Sequence, residues 1–266
     1  MSSPAAKPVA AAALEEPGPR PHTHLRLAAV AVLLLTWEAV AGAGIFPRVF
    51  LPAPSSVAVE LWRMALSGDL WRNLQPSVAR ILAGFAIGAG TGVTFGTLAA
   101  VSGRAEAMID PLVALAYPIP KIALLPLIVL WLGIGEASKV AVIAVGAFFP
   151  VFISAVTGLR GTSPSLMRAA KSLGATQWQV IQKVMVPSAL PVLFAGLRLA
   201  AGMSLLLVVS AEMIAATRGL GYLILYAGDL LQTTRLMAGI AVLSALGLFS
   251  TWVLRWVERL VVRGME

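Results

Sequence analysis

Residues 163–187 read SPSLMRAAKSLGATQWQVIQKVMVP and form the longest polar interruption in the second half of a very apolar chain. The pattern predicts two short helices joined by a hinge. Ser163 suits the N-cap of the first helix, and Pro164 suits its first position. Gly174 lies where a helix C-terminus favours a residue that can adopt positive φ, so we place the hinge there.

The second short helix is predicted to begin at a capping box. Thr176 is followed three positions later by Gln179, the spacing at which each side chain accepts a hydrogen bond from the backbone N–H of the other residue. Because Pro187 has no backbone N–H, we expect this helix to end there. The first helix carries Arg168 and Lys171 on one side and an apolar row on the other. The row consists of Leu166, Ala169, Ala170 and Leu173. Taken alone, the stretch also fits an ordinary amphipathic hairpin between two membrane spans.

The composition indicates that lipid covers much of the protein. Of 266 residues, 59% are hydrophobic and only 12% are charged, whereas a soluble domain carries about 25% charged residues. The sequence has no cysteine, which excludes disulfides, thiolate metal sites and cysteine nucleophiles. Both histidines, His22 and His24, belong to the polar N-terminal segment, which excludes most histidine-dependent catalysis. No Cys, His or carboxylate cluster has metal-ligand spacing.

Six apolar segments predict an all-α, polytopic membrane protein of about six transmembrane helices. The segments cover residues 25–42, 81–102, 112–133, 140–159, 189–217 and 237–254. Residues 1–24 have no apolar period and are predicted to be a disordered cytoplasmic tail. Residues 25–266 are then the transmembrane domain, with 162–187 as a cytoplasmic loop. A signal peptide cleaved after 39–41 is an alternative for the first segment.

Between the first two spans, a mixed segment predicts a helix on the external membrane surface. Ser55 or Ser56 is expected to cap this interfacial helix. Asp69 is expected to cap the helix that follows. The net charge of +8 fits topology signals and lipid headgroup contacts rather than nucleic-acid binding.

Glycines recur at every fourth position of the second span. They are Gly84, Gly88, Gly92 and Gly96. In a helix this spacing makes one nearly flat stripe, where a second backbone can approach closely. The stripe predicts a close helix contact, whose partner is either in the same chain or in a second subunit.

The third span carries three prolines, Pro118, Pro120 and Pro126. Backbone groups freed by proline must face protein or water inside a membrane, so this span is expected to line a path or an interface. Lys121 is a candidate for attracting an anion, although a lysine that reaches the membrane surface is an equal alternative. Glu212 is a further candidate, because charged residues within spans are functional candidates by default, although a structural or interfacial role is the preferred alternative for both Glu212 and Arg198. Glu212 lies fourteen residues from Arg198, about 21 Å along a helix, so the two charges cannot pair directly.

The polar loop resembles the cytoplasmic coupling loop of ABC-importer permeases. The family pattern is E-A-A, three residues, G, nine residues, and I-x-L-P. The matching positions here are Ala169, Ala170, Gly174, Val184, Val186 and Pro187. The glutamate position holds Arg168, which inverts the charge.

Two further regions are similar to one subgroup of that family, which serves nitrate, sulfonate, taurine, bicarbonate and related small, mostly anionic solutes. The first runs from Pro118 to Lys139 and includes the sequence PIPK. The second runs from Pro191 to Gly221 and includes GLR, EMI and GLG. The resemblance covers roughly Leu51 to Leu254.

The resemblance implies a type I ABC-importer permease fold in a bacterial inner membrane, with both termini in the cytoplasm. It also implies two ATPase subunits, a second permease copy or close relative, and an external solute-binding protein. The sequence has no G-x-x-x-x-G-K-[ST] motif, so ATP is expected to bind to a separate subunit, and no cofactor or enzymatic activity is expected of this chain. A stand-alone secondary transporter or channel is the alternative, and it predicts coupling carboxylates at mid-membrane and inverted repeats.

Overall fold

The helices of the computed structural model account for most of residues 23–47 and 49–263, which are the residues described, and no strand occurs among them. In chain order they are α1 (Thr23–Gly42), α2 (Pro54–Leu66), α3 (Asp69–Val101), α4 (Gly103–Ala116), α5 (Leu125–Leu132), α6 (Glu136–Arg160), α7 (Pro164–Ser172), α8 (Gln177–Val180), α9 (Val186–Ala215), α10 (Leu220–Asp229) and α11 (Thr233–Arg263). A 3₁₀ turn, Lys121–Leu124, precedes α5, and a π-helical segment, Ile181–Met185, joins α8 to α9. The predicted all-α class is confirmed, whereas the predicted tail lies almost entirely outside the described residues.

Four helical stretches of the described chain are long and apolar enough to cross a membrane. They are Asp69–Val101, Glu136–Arg160, Gln177–Ala215 and Thr233–Val262. A fifth span results if α4 and the stretch Lys121–Leu132 count as one bent crossing. The apolar part of α1, Leu27–Gly42, is shorter. The expected number of about six is reached only when α1 and the bent pair are both included.

The centre of the protein is formed by α3, α6 and α9. The glycine stripe of α3 lies directly against α6. A Cβ added at Gly88 would come within 2.3 Å of the Ala144 carbonyl oxygen. A Cβ at Gly96 would come within 2.7 Å of the Ala155 Cβ. The partner of the stripe therefore belongs to the same chain, which decides between the two alternatives that the sequence left open.

The register of these contacts gives the directions of the three central helices. Successive glycines of α3 meet successive turns of α6, so α3 and α6 run parallel. Gly158 near the end of α6 meets Ala189 near the start of α9, whereas Gly146 meets Leu207. Because α9 is therefore antiparallel to α6, the ends of α3 and α6 and the start of α9 lie together at one end of the bundle.

The third predicted span, residues 112–133, is a bent pair of helical stretches and not one continuous helix. The helix α4 ends at Ala116, and the next helical stretch turns away from it by 89°. Pro118 and Pro120 lie in the break, where they remove backbone donors that a helix would need. Pro126 lies in the first turn of α5, where no N–H partner is required.

The caps near the start of the chain differ from those expected. Ala53 occupies the N-cap of α2 and makes no side-chain cap bond. Ser55 instead donates its backbone N–H and its hydroxyl to the carboxylate of Glu38, at 3.0 and 2.7 Å, which ties α2 to α1. Gly68, at φ +78°, precedes α3, and Asp69 is the first residue of the helix and not its cap.

Candidate functional site

The polar loop folds as a hairpin of α7 and α8. Ser163 and Pro164 occupy the predicted N-cap and first position of α7, although the Ser163 hydroxyl contacts the Ser165 hydroxyl and does not bond a backbone N–H. Gly174 has φ +83°, a region that residues with a Cβ rarely adopt. Its N–H donates to the Lys171 carbonyl at 2.9 Å. The hinge therefore lies where the sequence places it.

The capping box at the start of α8 is present as predicted. The Thr176 N–H donates to Gln179 Oε1 at 2.8 Å, and the Gln179 N–H donates to Thr176 Oγ1 at 3.3 Å. The expected end of the helix at Pro187 is wrong, because the chain passes through the π-helical segment into α9 and stays helical to Ala215. Pro187 lies in the first turn of α9, so the wider π turn accommodates the missing donor.

The hairpin is held to the bundle through one side and leaves large apolar groups free on the other. Met167 and Ala170 pack with Leu159 of α6 and with Val180 and Met185. The exposed apolar residues of the hairpin are Leu166, Leu173 and Trp178, at 54%, 89% and 63% exposure. Among the residues of the family pattern, Arg168, Ala169 and Val186 are exposed, and Val184 is half-buried. The exposure of Trp178 was not expected from the sequence.

A cavity of about 800 Å³ opens beside the middle of α6 and α9. The connection between α4 and α5 forms one wall of it. The lining residues are Tyr117, Ile119, Pro120, Lys121, Ile122, Gly146, Phe149, Pro150, Ile153, Ser154, Leu199, Gly202, Met203, Leu206 and Leu207. Pro120 and Lys121 of the predicted path therefore line this cavity, whereas Pro118 and Pro126 do not belong to its wall and neither does Glu212.

Lys121 is the one charged residue among those that line the cavity. Its ammonium group donates to the Ala116 carbonyl at 3.3 Å and to the Tyr117 carbonyl. The same group lies 4.2 Å from the centre of the Phe149 ring and 5.2 Å from that of Tyr117. Both carbonyls lie at the end of α4, where the Ala116 carbonyl also accepts the Ile119 N–H at 3.3 Å, so the break in the chain holds a positive charge against a largely apolar wall.

A buried ion cluster joins α3, α6 and α9 at the end of the bundle opposite the hairpin. Glu212 of α9 is fully buried and accepts a hydrogen bond from Arg80 Nη1 of α3 at 2.7 Å. The same arginine, 5% exposed, binds both carboxylate oxygens of Glu136 through Nε and Nη2 at 2.5 and 2.6 Å. Glu136 is the first residue of α6 and is largely exposed. A single guanidinium therefore links α3, α6 and α9.

Further hydrogen bonds order the chain between α9 and α10 against this cluster. Ser77 donates to the Glu212 carboxylate at 2.7 Å and accepts the Leu220 N–H at 2.8 Å. The Gly221 N–H donates to Glu212 Oε2 at 2.8 Å, and the Gly219 N–H donates to the side chain of Asn73 at 3.1 Å. Glu212 thus has its buried charge satisfied by two elements of the protein, α3 and α10, and it does not belong to the cavity wall.

This cluster is not predicted from the sequence, although two of its charged residues stand out beside or within apolar spans. Arg80 immediately precedes the apolar second span, and Glu212 interrupts the fifth. Their separation of 132 residues, however, leaves no periodic pattern that pairs them. Arg198 pairs with Glu258 of α11, in agreement with the expectation that Arg198 and Glu212 do not pair with each other. Within the described residues, no group of three or more His, Cys, Asp or Glu could hold a metal ion.

The chain is similar to known membrane components of transport systems. The family model described as "Binding-protein-dependent transport system inner membrane component" matches residues 92–263. The chain is 36% identical over 233 residues to the putative aliphatic sulfonates transport permease protein SsuC of Bacillus subtilis, covering 88% of this chain and 84% of the relative. It is 37% identical over 235 residues to the taurine transport system permease protein TauC of Escherichia coli, covering 86% of each.

A solved structure shares the fold. An inward-facing conformation of the MetNI methionine ABC transporter superposes with a TM-score of 0.60 at 22% sequence identity, over 74% of this chain and 96% of the matched chain. The region that matches the family model contains the hairpin, α6 and α9. The chain belongs to the family of binding-protein-dependent transport system inner membrane components, the permeases of ABC importers.

Proposed function

We propose that this chain lines the translocation path of an ATP-driven importer for a small organic sulfonate. A second copy or a close relative completes the path, and two ATPase subunits, which bind the ATP, dock on the hairpin. An external solute-binding protein delivers the solute at the opposite end of the bundle. Both termini are then cytoplasmic, on the same side of the membrane as the hairpin.

The choice of a sulfonate as the solute rests on the cavity that Lys121 lines. Lys121 supplies one positive charge to the cavity wall, and the rest of the wall is almost entirely apolar. An alkanesulfonate combines a permanent anion with an apolar body, and both parts match this wall. Nitrate has no apolar body, so it would use only the charge. The names of the two relatives, which concern aliphatic sulfonates and taurine, point to the same chemical class.

The test is uptake by the complete complex, reconstituted in lipid vesicles with its ATPase and binding protein. Labelled ethanesulfonate, taurine and nitrate are compared, and we expect ATP-dependent uptake of a sulfonate. Lys121→Met is expected to lower that uptake roughly tenfold or more, since a charge-assisted contact is worth about 1.5–3 kcal/mol. Lys121→Arg is the matched control, because it retains the charge. Uptake of nitrate alone, or normal sulfonate uptake by Lys121→Met, would contradict the proposal.

The exposed apolar residues of the hairpin support the docking of the ATPase. Leu173, at 89% exposure, lies at the tip beside Gly174, and Trp178 lies on the next helix. Both belong to the loop that the sequence places in the cytoplasm, where lipid does not cover them. We expect Leu173→Glu to abolish co-purification of the ATPase while the permease remains in the membrane fraction. Co-purification at the wild-type level would place the docking surface elsewhere.

A further inference from the structure

A single extended residue separates α3 from α4. Ser102 has φ −131° and ψ 112°, and helices lie on both sides of it. Its side chain accepts the Ala105 N–H at 3.4 Å and so caps α4, while its own N–H donates to the Leu98 carbonyl at 3.1 Å. Each helix is therefore complete without the other, and the angle between them depends on whatever bridges the break.

One arginine bridges it. Nη2 of Arg160 donates to the Ala99 carbonyl at 3.0 Å, in the last turn of α3. The same nitrogen lies 2.8 Å from Oε2 of Glu106, in the first turn of α4. A cation suits both positions, since the C-terminus of a helix carries partial negative charge and Glu106 carries a full one. Arg160 therefore holds the two sides of the break at a fixed separation.

Arg160 also belongs to the end of the bundle that carries the hairpin. It is the last residue of α6, three positions before the N-cap of α7. Leu159 beside it packs in the apolar cluster that includes Met167 of the hairpin. Ala100 and Val101 of α3 pack against the same cluster. The hairpin, the end of α6 and the end of α3 thus form one packed unit.

The helix α4, by contrast, is held loosely. None of its residues is buried, and its packing in the described chain is mainly against α3. The ion pair from Glu106 is the charged contact that ties it to α6. At its other end, α4 is followed by Tyr117 of the cavity wall, and the Lys121 ammonium group donates to the Ala116 and Tyr117 carbonyls. A change in the angle of α4 would therefore move the positive charge of the cavity.

We propose that Arg160 is a positioning residue that transmits a displacement of the hairpin, through Glu106 and α4, to the cavity wall at Lys121. This inference rests on the proposed function, in which an ATPase moves the hairpin. Arg160 does not line the cavity. It ties α4 to the packed unit of the hairpin, α6 and α3, so that α4 follows this unit when the hairpin is displaced.

The experiment measures the number of ATP molecules hydrolysed per solute molecule transported by the reconstituted complex. Arg160→Gln is expected to assemble and to hydrolyse ATP at the basal rate, but to raise this ratio roughly threefold, the effect expected of a partly exposed ion pair. Arg160→Lys retains the charge and is expected to restore most of the coupling. Arg104→Gln, an exposed basic residue two positions from Glu106, is the matched control and should leave the ratio unchanged.

A second variant keeps the inference testable if Arg160→Gln does not assemble. Glu106→Ala leaves the bond from Arg160 to Ala99 in place and removes the acceptor on α4, so it should also raise the ratio. The double variant with Arg160→Gln should be no worse than Arg160→Gln alone, because both changes remove one interaction. Wild-type coupling in either single variant, or additive effects, would overturn the inference. A wild-type complex that neither hydrolyses ATP nor transports a sulfonate would instead refute the proposed function.

Discussion

Replacing Gly88 by alanine tests the contact between α3 and α6 with one added carbon atom. That carbon would lie 2.3 Å from the Ala144 carbonyl oxygen and 2.8 Å from the Ala147 Cβ. The carbonyl oxygen is a backbone atom and the Cβ is fixed by the backbone, so neither can rotate away and the two helices must separate. Overpacking of this kind costs about 1–3 kcal/mol, and alanine returns up to about 1 kcal/mol through its higher helix propensity. Because the 2.3 Å contact is with backbone, the upper half of the overpacking range applies, and the net loss of stability is about 1–2 kcal/mol.

Gly90 provides the matched control, because a Cβ there meets nothing within 4 Å. The assay is thermal unfolding of the purified complex in detergent, followed by size-exclusion chromatography. Gly88→Ala should lower the midpoint by roughly 2–8 °C, since 1 kcal/mol corresponds to about 2–4 °C for a chain of this size. Gly90→Ala should leave the midpoint unchanged or raise it. Equal shifts in the two variants would refute the reasoning, because the close approach would then have no energetic effect.

Four further outcomes are expected. Gly174→Val should abolish transport while membrane insertion persists, because valine resists the φ of +83°, and normal uptake would remove the hinge argument. Glu212→Ala leaves Arg80 without its buried partner and should destabilise the complex by about 3–5 kcal/mol, whereas Glu60→Ala on α2, which removes a 3.9 Å contact with exposed Arg63, should have little effect in the same thermal assay. Arg168→Glu should weaken coupled ATP hydrolysis, and an acidic-to-basic change in the ATPase should restore it in a double-mutant cycle; wild-type activity would mean that the position faces solvent. The purified chain alone should not hydrolyse ATP, and activity that follows this chain through rigorous purification would contradict that expectation.

The parts of the fold that the sequence predicts are those with a local signal. The capping box of Thr176 and Gln179 depends on residues three positions apart, and the glycine stripe depends on residues four apart. The hinge position is predicted from a single glycine, Gly174, at the end of a short helix. In each case the backbone geometry of a helix translates spacing directly into position. The predicted hairpin and the predicted close contact could therefore be located to the residue.

The parts that the sequence does not predict depend on distant residues or on the balance between neighbouring turns. Arg80 and Glu212 are 132 residues apart in the sequence, and nothing in the sequence around either residue identifies the other as its partner. Pro118 and Pro120 indicate a disturbed span, but the size of the 89° bend depends on packing around it. Pro187 indicates a helix end by its missing N–H, yet the helix continues because a π turn precedes it. The cavity residues on α6 and α9 are apolar and look like ordinary span residues.

The π-helical segment Ile181–Met185 adds one residue to a single turn of the long helical stretch Gln177–Ala215. A π turn holds one residue more than an α turn, so the faces before and after it are out of phase by about 100°. Val180 and Ala189 can therefore both pack in the apolar cluster beneath the hairpin, where Ala189 also meets Gly158 of α6. Deleting one residue within the segment would leave both helices intact but rotate the hairpin against the membrane part. The orientation of the hairpin is thus set by the number of residues in a single turn.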